Sequence, residues 1–408
     1  MSLPSRLDHL PALLTERSKQ HRVPGASLAV MKGEEVFETA TGVLNLRTGV
    51  EATEDSVFQI GSITKTFTAT LVMQLVDEGR IDLDAPILSY LNEFQLGDPD
   101  ATLSITLRQL LTHTSGMDGD FFEDTGRGDD CVERYITAMR ALPQLHPPGA
   151  LFSYCNAGFA VLGRLVEKMR GTSWDLALHA YLLGPIGTEK MGTHPEEAIL
   201  HRAAVGHLAH PKTQEMVVAP IWRLNPSNGP AGATPFATAR DLLRFARLHL
   251  DAGRAADGRQ VLSQRSARAM LEKQVDLPWA GIADAWGLGF ELFDWGTPVF
   301  GHDGGTIGQF SFLRVLPEHD LAVSLLTNGG SPSELYRDVF TEVLGVLAGV
   351  SLPPLPEPDP EAEVDLERYV GRYQRLFSRT DVEIRDGGLG FTTCWLRGVG
   401  RALPPQSG

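Results

Sequence analysis

No apolar stretch in this 408-residue chain approaches the roughly 20 residues that span a bilayer, so no transmembrane helix is expected. The first 20 residues also lack the continuous apolar core of an export signal. Leu7, Leu10 and Leu14 instead share one face of an amphipathic helix, and the expectation is a cytoplasmic protein that makes no membrane contact. Cysteine is scarce. Cys131, Cys155 and Cys394 are odd in number and far apart, which gives neither a disulfide framework nor a metal spacing and reads as reduced, partly buried thiols. Positive charge is short too: 36 Lys and Arg stand against 51 Asp and Glu, the net charge is −15, and no basic run occurs. Nucleic acid and anionic membrane surfaces are therefore not expected partners. His201, His207 and His210 lie close together but lack an H-x-x-x-H or H-E-x-x-H pattern, so no metal and no cofactor is expected. A G-x-S-x-G segment is missing, which argues against the nucleophile elbow of an α/β-hydrolase.

What remains is ordinary globular material, 42% hydrophobic and 21% charged. Its most informative stretch runs from Phe58 to Ala69. Phe58-Gln59-Ile60 reads as the end of a strand, Gly61 as a tight turn, and the rest as a helix that continues apolar through Leu75 and stops near Gly79. Ser62 stands where the helix begins and Lys65 follows one turn later, on the same face. The helix N-terminus adds partial positive charge there. A hydroxyl with a base in hydrogen-bond reach is an activated nucleophile, and a lysine serves as that base only where its surroundings lower its pKa. S-x-x-K alone arises by chance about once in a chain of ordinary composition and this length. The reading depends on partners.

The rest of the chain frames this stretch. Ala26 to Met31 and Val36 to Gly42 read as one hairpin, Phe310 to Val315 and Leu321 to Leu326 as another. Helical patterns occupy the middle, and residues 118–130, rich in Asp and Gly, read as a mobile loop. The expected fold is α/β of the α+β kind: an antiparallel sheet flanked by helices, an inserted mostly helical region over about 72–200, and a ligand cleft between the two. That unit covers residues 1–350. A proline-rich linker, 351–360, leads to a short β-rich appendage, 361–408, whose strand pattern runs from Leu366 to Phe391 and which is too small to stand alone. Trp222, Trp279 and Trp286 belong either to the core or to a pocket wall.

Two further segments can complete a site. Tyr154-Cys155-Asn156 follows a Pro-Pro-Gly turn and precedes a helix, so a phenol and an amide two residues apart point the same way. A tyrosinate near an ammonium can take the serine proton, or the phenol can hand one to a leaving group, while Asn156 holds substrate and Cys155 faces away. Tyr90-Leu91-Asn92 repeats the pattern at what reads as an ordinary helix end. Gly301-His302-Asp303-Gly304-Gly305 precedes the second hairpin. A Gly305 N–H can join that of Ser62 in an oxyanion hole, and His302 would add a positive or hydrogen-bonding group. Asp303, Gly304, Phe121 and Phe122 are candidate substrate contacts; His113 reads as a structural hydrogen-bonding histidine.

In this order the chain resembles the serine β-lactamase and penicillin-binding-protein superfamily, nearest in pattern to the class C enzymes and their esterase-like relatives. The matching elements are Ser62-Ile63-Thr64-Lys65, Tyr154-Cys155-Asn156 and His302-Asp303-Gly304, with support from Leu110 to Gly116 and Ala237 to Leu242, over roughly residues 5–348. The resemblance implies that Ser62 is acylated, that Lys65 and Tyr154 form the base system, that Asn156 positions substrate, and that His302 replaces the lysine of Lys-Thr-Gly. That replacement resembles esterases, D-aminopeptidases and acyltransferases and argues against classical β-lactamase activity. The expected activity is hydrolysis of an ester, thioester or amide of a small-molecule or peptidyl substrate, carrier-bound or free. The alternatives are transfer of the acyl or peptidyl group to an amine, as in peptide-cyclising thioesterases, and an inert scaffold of the same fold. Oligomeric state is left open.

Overall fold

The computed structural model describes residues 2–277, 281–357, 359 and 363–396. Trp279, Pro358, Pro360 and the stretch from Gly398 to Gly408 lie outside the described residues. No helix among the described residues is long and apolar enough to cross a membrane.

The N-terminal amphipathic segment forms two helices, because Pro11 cannot donate a backbone hydrogen bond and sits in the first turn of the second one, α1 (Leu10–Gln20). Then come β1 (Gly25–Lys32) and β2 (Glu35–Asn45), paired antiparallel around Gly33 as expected. The long helices of the body are α2 (Thr64–Asp77), α3 (Asn156–Arg170) and α4 (Ala239–Leu250). The sheet is completed by β3 (Glu291–Asp294), β4 (Pro298–Gly305), β5 (Phe310–Leu316) and β6 (Leu321–Thr327), and α5 (Pro332–Ala348) follows. Among the described residues the main sheet has nine antiparallel strands, with β2-β1-β6-β5-β4-β3 at its centre. Ala26 lies opposite Thr327, so the sheet begun at one end of the chain is finished near the other.

Both faces of this sheet are covered, which is why β1 and β6 are buried along almost their whole length. Side chains alternate between faces along a strand. Leu28 and Val30 pack with α1 and α5, while Ala29 and Met31 join the core beneath α2, α3 and α4. Every residue of α2 from Thr64 to Leu75 is buried. Three of its threonine hydroxyls donate to carbonyls, those of Ile63, Pro230 and Thr66, while Thr64 Oγ1 and Gln74 Oε1 are buried without a partner. At the start of α3 the Cys155 Sγ accepts from Gly158 N at 3.3 Å, which turns this buried thiol into a helix cap, away from the cleft.

The appendage is a separate three-stranded antiparallel sheet, β7 (Gly371–Gln374), β8 (Ser378–Arg385) and β9 (Gly388–Trp395). The turn between β7 and β8 docks on the body. Arg375 reaches Asp118 at 3.0 Å and Asp120 at 3.2 Å, Leu376 N donates to Asp118 at 2.9 Å, and Phe377 is buried beside Phe121. This corrects the expectation of a mobile loop over 118–130. Asp118 is fully buried and its stretch through Phe121 is pinned; only from Glu123 onward is the segment largely exposed.

Candidate active site

Three backbone segments meet at Ser62. The Phe58-Gln59 strand end pairs with Phe236-Ala237 and delivers the chain to Gly61, which has a left-handed φ of 50°. A Cβ at Gly61 would lie 2.4 Å from Gly305 N, and one at Gly232 would lie 2.2 Å from Gly61 O, so only glycine permits this approach. The end of β4 and the turn at Ala231-Gly232 are thereby pressed against the Ser62 turn.

Lys65 is completely buried, its Nζ 2.9 Å from Ser62 Oγ and 2.6 Å from the Ala231 carbonyl. Burial brings its pKa down to about 7 against the opposing pull of nearby acidic groups. The expected lowering is present, and desolvation causes it. Lys65 Nζ also lies 4.9 Å from the centre of the Tyr154 ring.

Tyr154 lines the cleft beside Ser62, and its burial raises the phenol pKa far above the ordinary value. Burial thus favours the neutral phenol over the expected tyrosinate. Its ring is held by His113, 4.3 Å away, and by Trp286 beneath. His113 occupies a left-handed conformation, φ 56°, and its Nδ1 accepts from Cys155 N at 3.0 Å. Burial keeps it neutral, so it acts as the structural histidine foreseen. Asn156 opens α3 and lines the cleft near Asp120, whose pKa burial raises although Arg375 pulls the other way.

His302 departs from expectation. It is 1% exposed, sits 5.4 Å from Trp286 and 6.4 Å from Tyr154, and does not line the cleft. Burial, reinforced by Lys65, lowers its pKa to about 3, so it contributes no positive charge. Its Nδ1 meets the Asp303 carbonyl and lies 3.5 Å from Glu291. Asp303 is paired with the buried Arg314 at 2.7 Å, and Gly304 is wedged against Ile60, where a Cβ would lie 2.0 Å from the carbonyl oxygen. Neither borders the cleft. Glu291, 3.7 Å from Arg314, is buried enough that its pKa is raised, with Asp303 adding to the effect. Sequence reasoning missed Glu291 and Arg314. The signal was there: a period of two puts Arg314 on the face of Phe312 and Leu316, which are both buried.

A cleft of about 370 Å³ opens over Ser62, bordered by Tyr154, Asn156, Phe122 and Gly305. Phe121 is turned into the core, where Tyr135 donates to its carbonyl. Ile221, Leu224 and Ile307 complete the apolar wall and Arg223 adds a charge; none of these carried a motif. Trp286 is buried core and Trp222 is half-buried against Phe236. Tyr90 and Asn92 serve elsewhere, accepting from Asp82 N and Lys168. His207 accepts from Leu46 N and meets the Asn328 carbonyl, and no cluster of metal-ligating type occurs among the described residues.

The model of the Beta-lactamase family matches residues 10–347. Penicillin-binding protein 4 of Amycolatopsis lactamdurans is 45% identical over 373 residues, 90% of this chain and 96% of that protein. Esterase EstB of Burkholderia gladioli is 28% identical, covering 80% of this chain and 91% of its own. Among solved structures, SurE is similar at a TM-score of 0.78 and 30% identity, over 95% of this chain and 87% of that one; a second SurE structure contains D-Leu.

Proposed function

Since the chain belongs to the beta-lactamase family of serine hydrolases, we propose that it forms an acyl-enzyme on Ser62 from an ester, thioester or amide of a small or peptidyl acyl group. The observation that carries this reading is the buried Lys65 amine, of pKa about 7, 2.9 Å from Ser62 Oγ. Neutral Lys65 takes the serine proton as Oγ attacks the carbonyl. The Ser62 and Gly305 N–H groups receive the developing oxyanion, each worth about 3 kcal/mol in the transition state. Tyr154 donates its phenolic proton to the leaving group and regains one from the Lys65 ammonium. Asn156 holds the substrate amide. Water then attacks the acyl-enzyme, Lys65 takes its proton, and as the bond from Oγ to the acyl carbon breaks Lys65 returns that proton to Ser62 Oγ, releasing the acid.

Transfer to an amine is the second reading. It is supported by the apolar walls of the cleft, which disfavour ordered water, and by the likeness to SurE, one structure of which contains D-Leu. Intact-protein mass spectrometry after incubation with 4-nitrophenyl butyrate, nitrocefin and a D-configured peptidyl thioester tests both. An adduct on the wild type and none on Ser62→Ala is the expected result. Diversion of product from acid to amide by added amine assigns transfer. No adduct from any donor would favour an inert scaffold.

A further inference from the structure

Arg223 has no part in the chemistry above, yet it is the charged side chain bordering the cleft over Ser62. The rest of that lining consists of hydroxyl, amide, glycine and apolar groups. Other arginines of this acidic chain hold carboxylates: Arg164 holds Glu93, Arg244 holds Asp241, Arg314 holds Asp303. Among the described residues nothing pairs with the Arg223 guanidinium. On its far side Arg223 borders a smaller cavity of about 130 Å³ whose wall includes Asp129, Glu167, Asp175 and Glu196. Two of these acids are engaged elsewhere, Glu167 with Arg164 and Asp175 with His194.

The backbone that carries Arg223 is tied down on both sides. Gln59 Nε2 donates to the Trp222 carbonyl at 2.8 Å and Trp222 Nε1 to Ala204 O at 2.7 Å. Asn225 Nδ2 donates to Phe122 O at 2.9 Å and Ser227 Oγ to Glu123 O at 2.9 Å. The backbone on either side of Arg223 is thus anchored, and with His302 neutral Arg223 is the charged side chain lining the cleft. A guanidinium with no protein partner is free to bind oxyanions, because its forked donors match carboxylate and phosphate geometry.

We propose that Arg223 is an anion-recognition residue: the substrate presents its carbonyl to Ser62, its apolar portion to Phe122, Ile221 and Leu224, and a carboxylate or phosphate to Arg223. This rests on the serine-hydrolase reading and names the substrate class for that site. The test compares 4-nitrophenyl pentanoate with mono-4-nitrophenyl glutarate, which replaces the chain end by a carboxylate. The wild type should favour the glutarate in kcat/KM by roughly tenfold to a hundredfold, the worth of one charge-assisted hydrogen bond or two. Arg223→Gln should abolish that preference and leave the pentanoate rate within about twofold, since the lost interaction is absent from that ester. Equal rates in the wild type, or a preference that survives Arg223→Gln, would overturn the proposal while leaving the Ser62 reaction intact. Calorimetric titration of Ser62→Ala with hexanoate, hexanamide and pentyl phosphate reads the same site without acylation. Tighter binding of the anions that is lost with Arg223→Gln is expected, the better of the two anions assigns carboxylate or phosphate, and indifference to charge overturns the proposal.

Discussion

At the scale of single residues, Lys65 sets the pH behaviour. In the proposed mechanism its neutral form accepts the serine proton, so activity should be low below its pKa of about 7 and rise as pH passes through that value. The kcat/KM profile for a neutral ester should show this rising limb. Lys65→Arg keeps the charge but cannot deprotonate, and should cut the acylation rate by about 10³-fold or more; a variant with wild-type rates would remove Lys65 from the mechanism. The approach of Lys65 to Ser62 was legible because S-x-x-K places the two one helical turn apart. The charge states were not. That Tyr154 and His302 are neutral depends on burial, with the charge of Glu291 acting on Tyr154 and that of Lys65 on His302, and these groups come from distant parts of the chain. The Ala231 carbonyl that holds Lys65 is backbone, and leaves no trace in residue type.

At the scale of elements, the active site depends on how closely α3 approaches the segment from Pro226 to Ala231. A Cβ at Gly163 would lie 2.2 Å from Pro230 Cγ. Gly163→Ala should therefore cost about 1–3 kcal/mol by overpacking, although alanine is the better helix former. It should also shift the Ala231 carbonyl off Lys65, so that acylation slows more than a matched alanine at an exposed α3 position would cause. Thermal melting and single-turnover acylation measure the two effects; wild-type values in both would show that the segment yields freely. The hairpins and the sheet they build were readable from local period and turns. The loop after Met117 was misjudged for a definite reason. Its Asp and Gly content indicates freedom, whereas the residues that immobilise it, Arg375 and Phe377, are about 250 positions away.

At the scale of the whole molecule, the appendage and the body share an ion pair whose acidic member, Asp118, is fully buried. Removing one partner of such a pair leaves an uncompensated charge. Arg375→Met should destabilise the protein by about 3 kcal/mol, the low end for a broken buried pair because Leu376 N still reaches Asp118. Denaturant unfolding monitored by tryptophan fluorescence checks this; an unchanged midpoint would make the contact incidental. The same substitution should disturb Asp120 and, through it, Asn156. The change of composition near residue 350 looks like a seam in the sequence, but energetically the seam is stitched. Recombination that exchanged this tail for another would have to bring an arginine at the same turn, or else change Asp118 at the same time. Tail and body are therefore expected to be inherited as a matched set, and a hybrid made by joining halves of two relatives at the prolines should lose solubility unless it restores that pair.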